Sequence, residues 1–281
     1  MSRRSIHLVS LAVEALRTID AWGAETAAAG VTRADRELGT RGPPDAPLPW
    51  ASVTKLLTGL AALVAVEEGT VDLDEPAGPP GSTLRHLLAH ASGLPLDGGP
   101  PLMPPAQRRS YSNAGIEAAA ELIALHAEMS FERYLRAAIL DPLSLSGELL
   151  GSPAWGYTGP LDDLLKLGRE LLAPTLVAAA TLAEATSVQF PGLAGVLPGL
   201  GRMDPNDWGL AFELRDGKQP HWTGARNSSR TFGHFGRSGT FLWVDPDAGI
   251  ACGVLTDLEF GEWAREAWPG FSDAVLAESA A

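Results

Sequence analysis

The sequence predicts an α+β fold: an antiparallel sheet flanked by N- and C-terminal helices, with a mostly helical region inserted into it. Three observations carry this. Between roughly 55 and 190 the chain shows helical periodicity and Pro/Gly-rich loops, with no strand pattern. From Trp208 onward, short apolar runs alternate with turn residues, too closely spaced for parallel returns. A pair of strand-like runs also lies near the N-terminus. Closing both ends into one sheet makes residues 1–54 and 206–281 a discontinuous sheet domain and 55–205 a helical one, with a cleft expected at their interface.

Taken in order, Val9, Val13, Leu16 and Ile19 fall on one helical stripe. Met1-Ser2-Arg3-Arg4 and the apolar run from Ile6 to Val13 imitate a short signal peptide, but His7 interrupts that run and Glu14 closes it. The reading is a packed amphipathic first helix and a cytoplasmic protein. Ala27 to Thr32 and Glu37 to Gly42 predict a hairpin around Ala34-Asp35. Leu56 to Val66 is an Ala/Leu/Val helix, apolar nearly all round and ended by Gly69. Thr83 caps a short helix over residues 84–90. Further helices are predicted over Ile116 to Glu128, Phe131 to Leu140, Leu161 to Leu172 and Thr175 to Thr186. Trp208 to Leu214, Thr231 to Arg237, Thr240 to Val244 and Ile250 to Thr256 are the late strands. A helix from Glu262 to Ala280 closes the chain, interrupted near Pro269.

Composition narrows the function classes. The 281 residues are 45% hydrophobic and 20% charged, ordinary for a globular enzyme that buries a large core. A net charge of −13 argues against nucleic acid or an anionic membrane as partner. The single cysteine, Cys252, lies in an apolar run and reads as a buried structural thiol. His86 and His90 share a helix face, yet without an acidic third ligand they read as structural histidines; no metal or organic cofactor is indicated.

The chemistry centres on Ser52-Val53-Thr54-Lys55 at the mouth of the apolar helix. Serine and lysine three residues apart lie on one helix face, within mutual reach. A serine hydroxyl needs a neighbour to take its proton, and a lysine kept partly neutral by its surroundings serves. The competing reading is a capping serine beside a solvated lysine. Lysine occurs only at 55, 166 and 218, and the apolar helix places Lys55 facing an interior cleft. Tyr111-Ser112-Asn113 follows a Pro/Gly-rich loop. A phenol held partly as phenolate by a cation is a general base, and an asparagine amide holds a lysine or an acyl carbonyl. The third element, Gly233 to Thr240, carries three glycines and so offers bare backbone to a substrate. His234 within it is either an ordinary strand histidine or part of the site.

Together, Ser52-Val53-Thr54-Lys55, Tyr111-Ser112-Asn113 and His234-Phe235-Gly236 resemble the serine β-lactamase-like hydrolases. These include penicillin-binding proteins, class C β-lactamases and family VIII esterases. The Tyr-x-Asn form is similar to the class C branch. Leu87 to Pro95, Asp163 to Leu172, Trp208-Gly209-Leu210 and Gly239 to Pro246 resemble further segments of that branch, so the likeness runs from about residue 5 to 265. It implies that Ser52 is acylated, that Lys55 helps to deprotonate it, and that Tyr111 shuttles protons to the leaving group and the deacylating water. Asn113 would orient Lys55 and the acyl side chain. The amides of Ser52 and Arg237, beside Gly236, would hold the oxyanion, and His234 would contact Tyr111 or a substrate carboxylate.

The departures shape the expected substrate. Class C enzymes carry Lys-Thr-Gly where this chain has His234-Phe235-Gly236, and a neutral imidazole attracts a carboxylate less than an ammonium does. The expectation is therefore a carboxylesterase or amidase acting on a small ester or amide. The alternatives are a D-alanyl peptidase or weak β-lactamase, and a non-catalytic ligand-binding member of the fold. If neutral His234 matters, activity is expected to fall as pH drops through the histidine range, roughly 6–7.

Overall fold

The computed structural model describes residues 14–279; the predicted helical turns over Ile6 to Val13 lie outside these described residues. The chain enters on a 3-10 helix, Glu14–Ala21, that buries Leu16 and Ile19. The strands β1 (Ala27–Thr32) and β2 (Glu37–Arg41) form the predicted hairpin. After β3 (Leu48–Pro49), a 3-10 turn, Ala51–Val53, runs directly into α1 (Thr54–Glu67). The inserted region contains α2 (Leu84–Leu88), α3 (Asn113–His126) and α4 (Phe131–Leu135), the last continued by a π turn to Leu140. Then come β4 (Glu148–Leu149), β5 (Tyr157–Gly159), α5 (Leu161–Leu172) and α6 (Ala179–Ala185). A small hairpin follows, β6 (Gly195–Leu197) and β7 (Gly201–Met203). The chain ends with β8 (Glu213–Leu214), β9 (Phe232–Gly236), β10 (Thr240–Asp245), β11 (Ile250–Thr256) and α7 (Glu262–Ser279).

The main sheet has the order β2-β1-β11-β10-β9-β8, and every pairing in it is antiparallel. Side chains alternate across it as a period of two requires. Val31, Phe241, Trp243, Cys252 and Val254 point to one face, where Trp268, Phe271 and Val275 of α7 cover them. Ala28, Leu242, Val244, Ala251 and Leu255 point to the other, into a core shared with α5 and α1. There α5 lies flush on the strands: a Cβ on Gly253 would come 2.7 Å from Leu164, and one on Gly168 would come 2.9 Å from Ala251. His234 is in register with Leu242, in the strand next to it, so β9 delivers its side chain to the α1 side. Burial pushes the Cys252 thiol pKa up, which suits a structural residue. Among the described residues no helix is long and apolar enough to cross a membrane.

Four expectations change. The strand predicted over Trp208 to Leu214 shortens to Glu213–Leu214, because the amides of Gly209, Leu210 and Ala211 bond to Phe212, Ala185 and Leu88 instead of to a ladder. The helix predicted from Thr175 starts at Ala179, since the Glu170 carboxylate takes the amides of Thr175 and Leu176 at 2.8 Å each. Pro269 does not interrupt α7; buried Trp268 and Phe271 on either side hold the helix to the sheet across the missing N–H. The helical region also contributes β4 and β5 to a small sheet, β3-β5-β4, that ties it to the segment before Ser52; these strands are too short to leave a periodic trace.

Candidate active site

The site is built on the turn before α1. Trp50 is locked from two sides, its amide donating to Tyr157 O at 2.9 Å and its indole to Gly159 O at 3.2 Å. Ala51 then takes φ of +46°, a conformation that L residues rarely adopt, before the 3-10 turn carries Ser52 into the helix. Lys55 lies in the first turn of α1 and is completely buried. Its ammonium has three acceptors for three hydrogens: Ser52 Oγ at 3.3 Å, Asn113 Oδ1 at 2.7 Å and Ala154 O at 2.9 Å. The solvated-lysine reading therefore does not describe this turn. Burial draws the Lys55 pKa down to about 7, against the opposing charges of Glu117 and Asp97.

Tyr111 and Asn113 arrive on the loop that caps α3. Ser112 is the N-cap, accepting from Gly115 N at 2.9 Å and donating to Pro95 O at 2.6 Å. The helix therefore starts at Asn113, three residues before the apolar periodicity begins. Arg109 anchors the loop from below, its buried guanidinium donating to the carbonyls of Ala89, Gln189, Phe190 and Asn206 at 2.6–3.0 Å. The Tyr111 ring packs against His90 and Trp208, with the Lys55 ammonium 4.8 Å from its centroid. Burial pushes the phenol pKa well above its ordinary range, although a hydrogen bond with Ser52 pulls the other way. The expected phenolate thus gives way to a neutral phenol, and the same burial draws the Lys55 pKa down beside it.

His234 has a defined tautomer. Nδ1 lies 2.7 Å from Phe235 O and must carry the proton, which leaves the Nε2 lone pair facing Tyr111 OH at 3.5 Å. Burial, reinforced by the Lys55 charge, holds its pKa down to about 3. The expected loss of neutral His234 at pH 6–7 is therefore corrected: burial, invisible in the sequence, keeps the ring neutral far below that range. Gly236 brings β9 against the Ser52 turn, where a Cβ would lie 2.5 Å from Trp50 O. Thr240 Oγ1 and Ser238 Oγ staple the same turn by donating to Trp50 O at 2.9 Å and Pro49 O at 2.7 Å. Arg237 projects outward, its side chain 83% exposed and paired with Glu259 at 3.5 Å.

Ser52, Tyr111, Asn113 and His234 meet at one cavity of about 580 Å³, walled by Leu96, Trp155, Leu197, Trp208 and Phe260, with Arg237 at its edge. Of the two helix histidines, His86 stacks on Phe190 with its ring centroid 4.2 Å away, while buried His90 accepts from Ser112 N at 3.2 Å and backs Tyr111. Among the described residues no three His, Cys, Asp or Glu side chains converge to hold a metal. Sequence reasoning missed Asp97, which accepts from Asn113 Nδ2 at 2.8 Å, and the anchoring role of Arg109. It also missed a buried network behind the wall. Glu213 accepts from Lys218 at 2.6 Å, His221 at 2.9 Å and Trp222 at 2.9 Å, and the Lys218 ammonium sits 5.9 Å from the Trp208 ring.

Comparison with known proteins identifies the family and the fold. No curated protein matches the chain. Among solved structures, a β-lactamase from Mycobacterium bovis is 50% identical, with a TM-score of 0.94 over 95% of this chain and 100% of that one. The LovD6 mutant of simvastatin synthase from Aspergillus terreus is 19% identical, with a TM-score of 0.77 over 94% of this chain and 93% of that one. EstCE1, a hydrolase with promiscuous acyltransferase activity, is 16% identical, with a TM-score of 0.73 over 94% of this chain and 95% of that one. At those identities the last two speak for the fold alone. The family described as Beta-lactamase matches residues 18–275, so the chain belongs to the β-lactamase family of serine hydrolases.

Proposed function

We propose that the protein is a carboxylesterase or amidase that forms an acyl-enzyme on Ser52. The observation that carries this is a fully buried Lys55 with its Nζ 3.3 Å from Ser52 Oγ, and that burial draws its pKa down to about 7. Neutral Lys55 takes the hydroxyl proton as Oγ attacks the carbonyl, and the amides of Ser52 and Arg237 receive the oxyanion. Tyr111 gives its phenolic proton to the departing alcohol or amine and is reset by the Lys55 ammonium. Water then attacks the acyl carbonyl and gives its proton to the relay, which returns a proton to Ser52 Oγ as the acyl–Oγ bond breaks; the acid leaves and Lys55 is neutral again. Asn113 fixes Lys55 through Oδ1, and neutral His234 orients the Tyr111 hydroxyl by accepting from it.

The β-lactamase reading is favoured by the Mycobacterium bovis relative. Against it, the position that would meet the substrate carboxylate offers the lone pair of a neutral imidazole, while Phe235 is committed to the aromatic core with Phe260 and Trp222. Initial rates on p-nitrophenyl acetate and butyrate, native beside Ser52→Ala, test the proposal. Turnover is expected to fall at least about 10³-fold in the variant, with an acyl adduct in the intact mass of the native protein alone. Equal rates would remove Ser52, and stable acylation by penicillin without ester turnover would favour the rival.

The pH profile follows from Lys55. Only its neutral form accepts the Ser52 proton, so kcat/KM should rise with pH through about 7 and level off above it. His234, held near 3, does not titrate in that window, so His234→Gln should lower the plateau without moving the acid limb. A limb that moves with the His234 substitution would reassign it.

A further inference from the structure

The charges that face the cavity are one-sided. All three Lys55 hydrogens are directed at protein acceptors, Arg237 is turned to Glu259 at the surface, and His234 presents a lone pair. Among the described residues, no cation is in contact with the Asp97 carboxylate, which stands on the wall. Its partner is an amide, Asn113 Nδ2, whose Oδ1 is bonded to Lys55. That orientation of Asn113 is fixed, because turning the amide over would set NH₂ against ammonium and oxygen against carboxylate. Asp97 therefore lies one amide and two hydrogen bonds from Lys55, on the order of 8 Å. Around it the wall is apolar, with the side chains of Leu96 and Trp155 about half exposed at the rim.

We propose that Asp97 reads the charge on the substrate's acyl arm: the site takes an acyl group ending in a cation, or in an uncharged apolar end, and turns away one ending in a carboxylate. This rests on the acyl-enzyme reading above, since it is Asn113, beside the acyl position, that holds Asp97. A cationic end group replaces the missing counter-ion of Asp97, and its methylene stem lies along Leu96 and Trp155. An anionic end meets Asp97 where the cations of the cavity are already engaged, Lys55 with its three acceptors and Arg237 with Glu259. Because Asp97 is exposed, solvent screens the effect, leaving about threefold on either side of neutral and roughly tenfold between the two charges.

Three p-nitrophenyl esters of matched shape test this at low ionic strength, where surface charge is least screened. Their acyl arms end in trimethylammonium, tert-butyl and carboxylate, each on the same five-methylene stem. The expected order of kcat/KM is cationic, neutral, anionic. Asp97→Asn should bring the cation-to-anion ratio close to one, and Asp97→Lys should invert it. Calorimetric titration of the Ser52→Ala protein with the same esters measures the preference without turnover. Equal handling of the three by the native protein, or a parallel fall in all three with the ratio intact in Asp97→Asn, would overturn the assignment. The affinity order persisting without any turnover would sink the acyl-enzyme reading and leave Asp97 as a charge reader.

Discussion

Exchange of Lys55 for arginine is expected to lower kcat/KM on p-nitrophenyl butyrate by about 10²- to 10⁴-fold, the range a positioned general base contributes. Arginine keeps a cation and hydrogen-bond donors for Asn113 and Ala154 but stays protonated at every working pH. Lysine in this place is different because burial has drawn its pKa to about 7, so that much of it is neutral when Ser52 must be deprotonated. The substitution thus separates two roles that a lysine-to-alanine change would remove together. A guanidinium is larger, so Lys55→Met, similar in length and unable to take a proton, is the companion variant. It should lose as much activity while melting close to the native temperature. An arginine variant within tenfold of native would show that Lys55 acts as a fixed positive charge, and the proton of Ser52 would need another destination.

The parts of the site legible in the sequence are those that local spacing specifies. Ser52 and Lys55 share a helix turn, Tyr111 and Asn113 flank a capping serine, and the glycines of β9 mark where backbone must approach backbone. What was not legible depends on burial or on loops meeting across the fold. The ionisation of Tyr111 and His234 is hidden from the sequence because both are enclosed by residues distant along the chain, Tyr111 by His90 and Trp208 and His234 by Trp208. Asp97 and Arg109 lie in irregular segments with no period to betray them; each is placed by partners from another part of the chain, Asn113 for one and four carbonyls for the other. The fold followed the same division. Strands and helices with a clean period matched within a few residues, whereas Trp208 to Phe212, which alternates like a strand, is held by bonds to α2 and α6.

The Glu213 network carries the largest expected effect on stability. Glu213 and Lys218 have side chains only 1% exposed, and Lys218 also donates to Asp207 O at 2.6 Å and to Leu214 O. His221 completes the set: its Nδ1 accepts from Thr223 N at 3.2 Å, so Nε2 carries the proton it donates to Glu213. Burial alone would raise the Glu213 pKa, but Lys218 and His221 outweigh it and hold the carboxyl down to about 2. Its ionised form is therefore the folded form, and the stability it lends, present above the ordinary glutamate range, is lost as pH falls from about 4.5 toward 2. Glu213→Gln keeps the shape and removes the charge, leaving the Lys218 ammonium buried without a counter-ion. The expected loss is about 3–5 kcal/mol, a fall in Tm of roughly 10 °C for a chain this long. The double variant Glu213→Leu/Lys218→Met should recover most of it, because an apolar pair of similar volume needs no compensation in a dry interior. Melts of the three proteins, at neutral pH and again near pH 3, decide the matter. Glu213 pairs with Gly233, next to His234, and Lys218 backs Trp208, so the same substitution should reduce ester turnover even at temperatures where the variant is fully folded. Native-like melting of Glu213→Gln would mean that the ion pair contributes little and that the wall behind Tyr111 is held by packing alone.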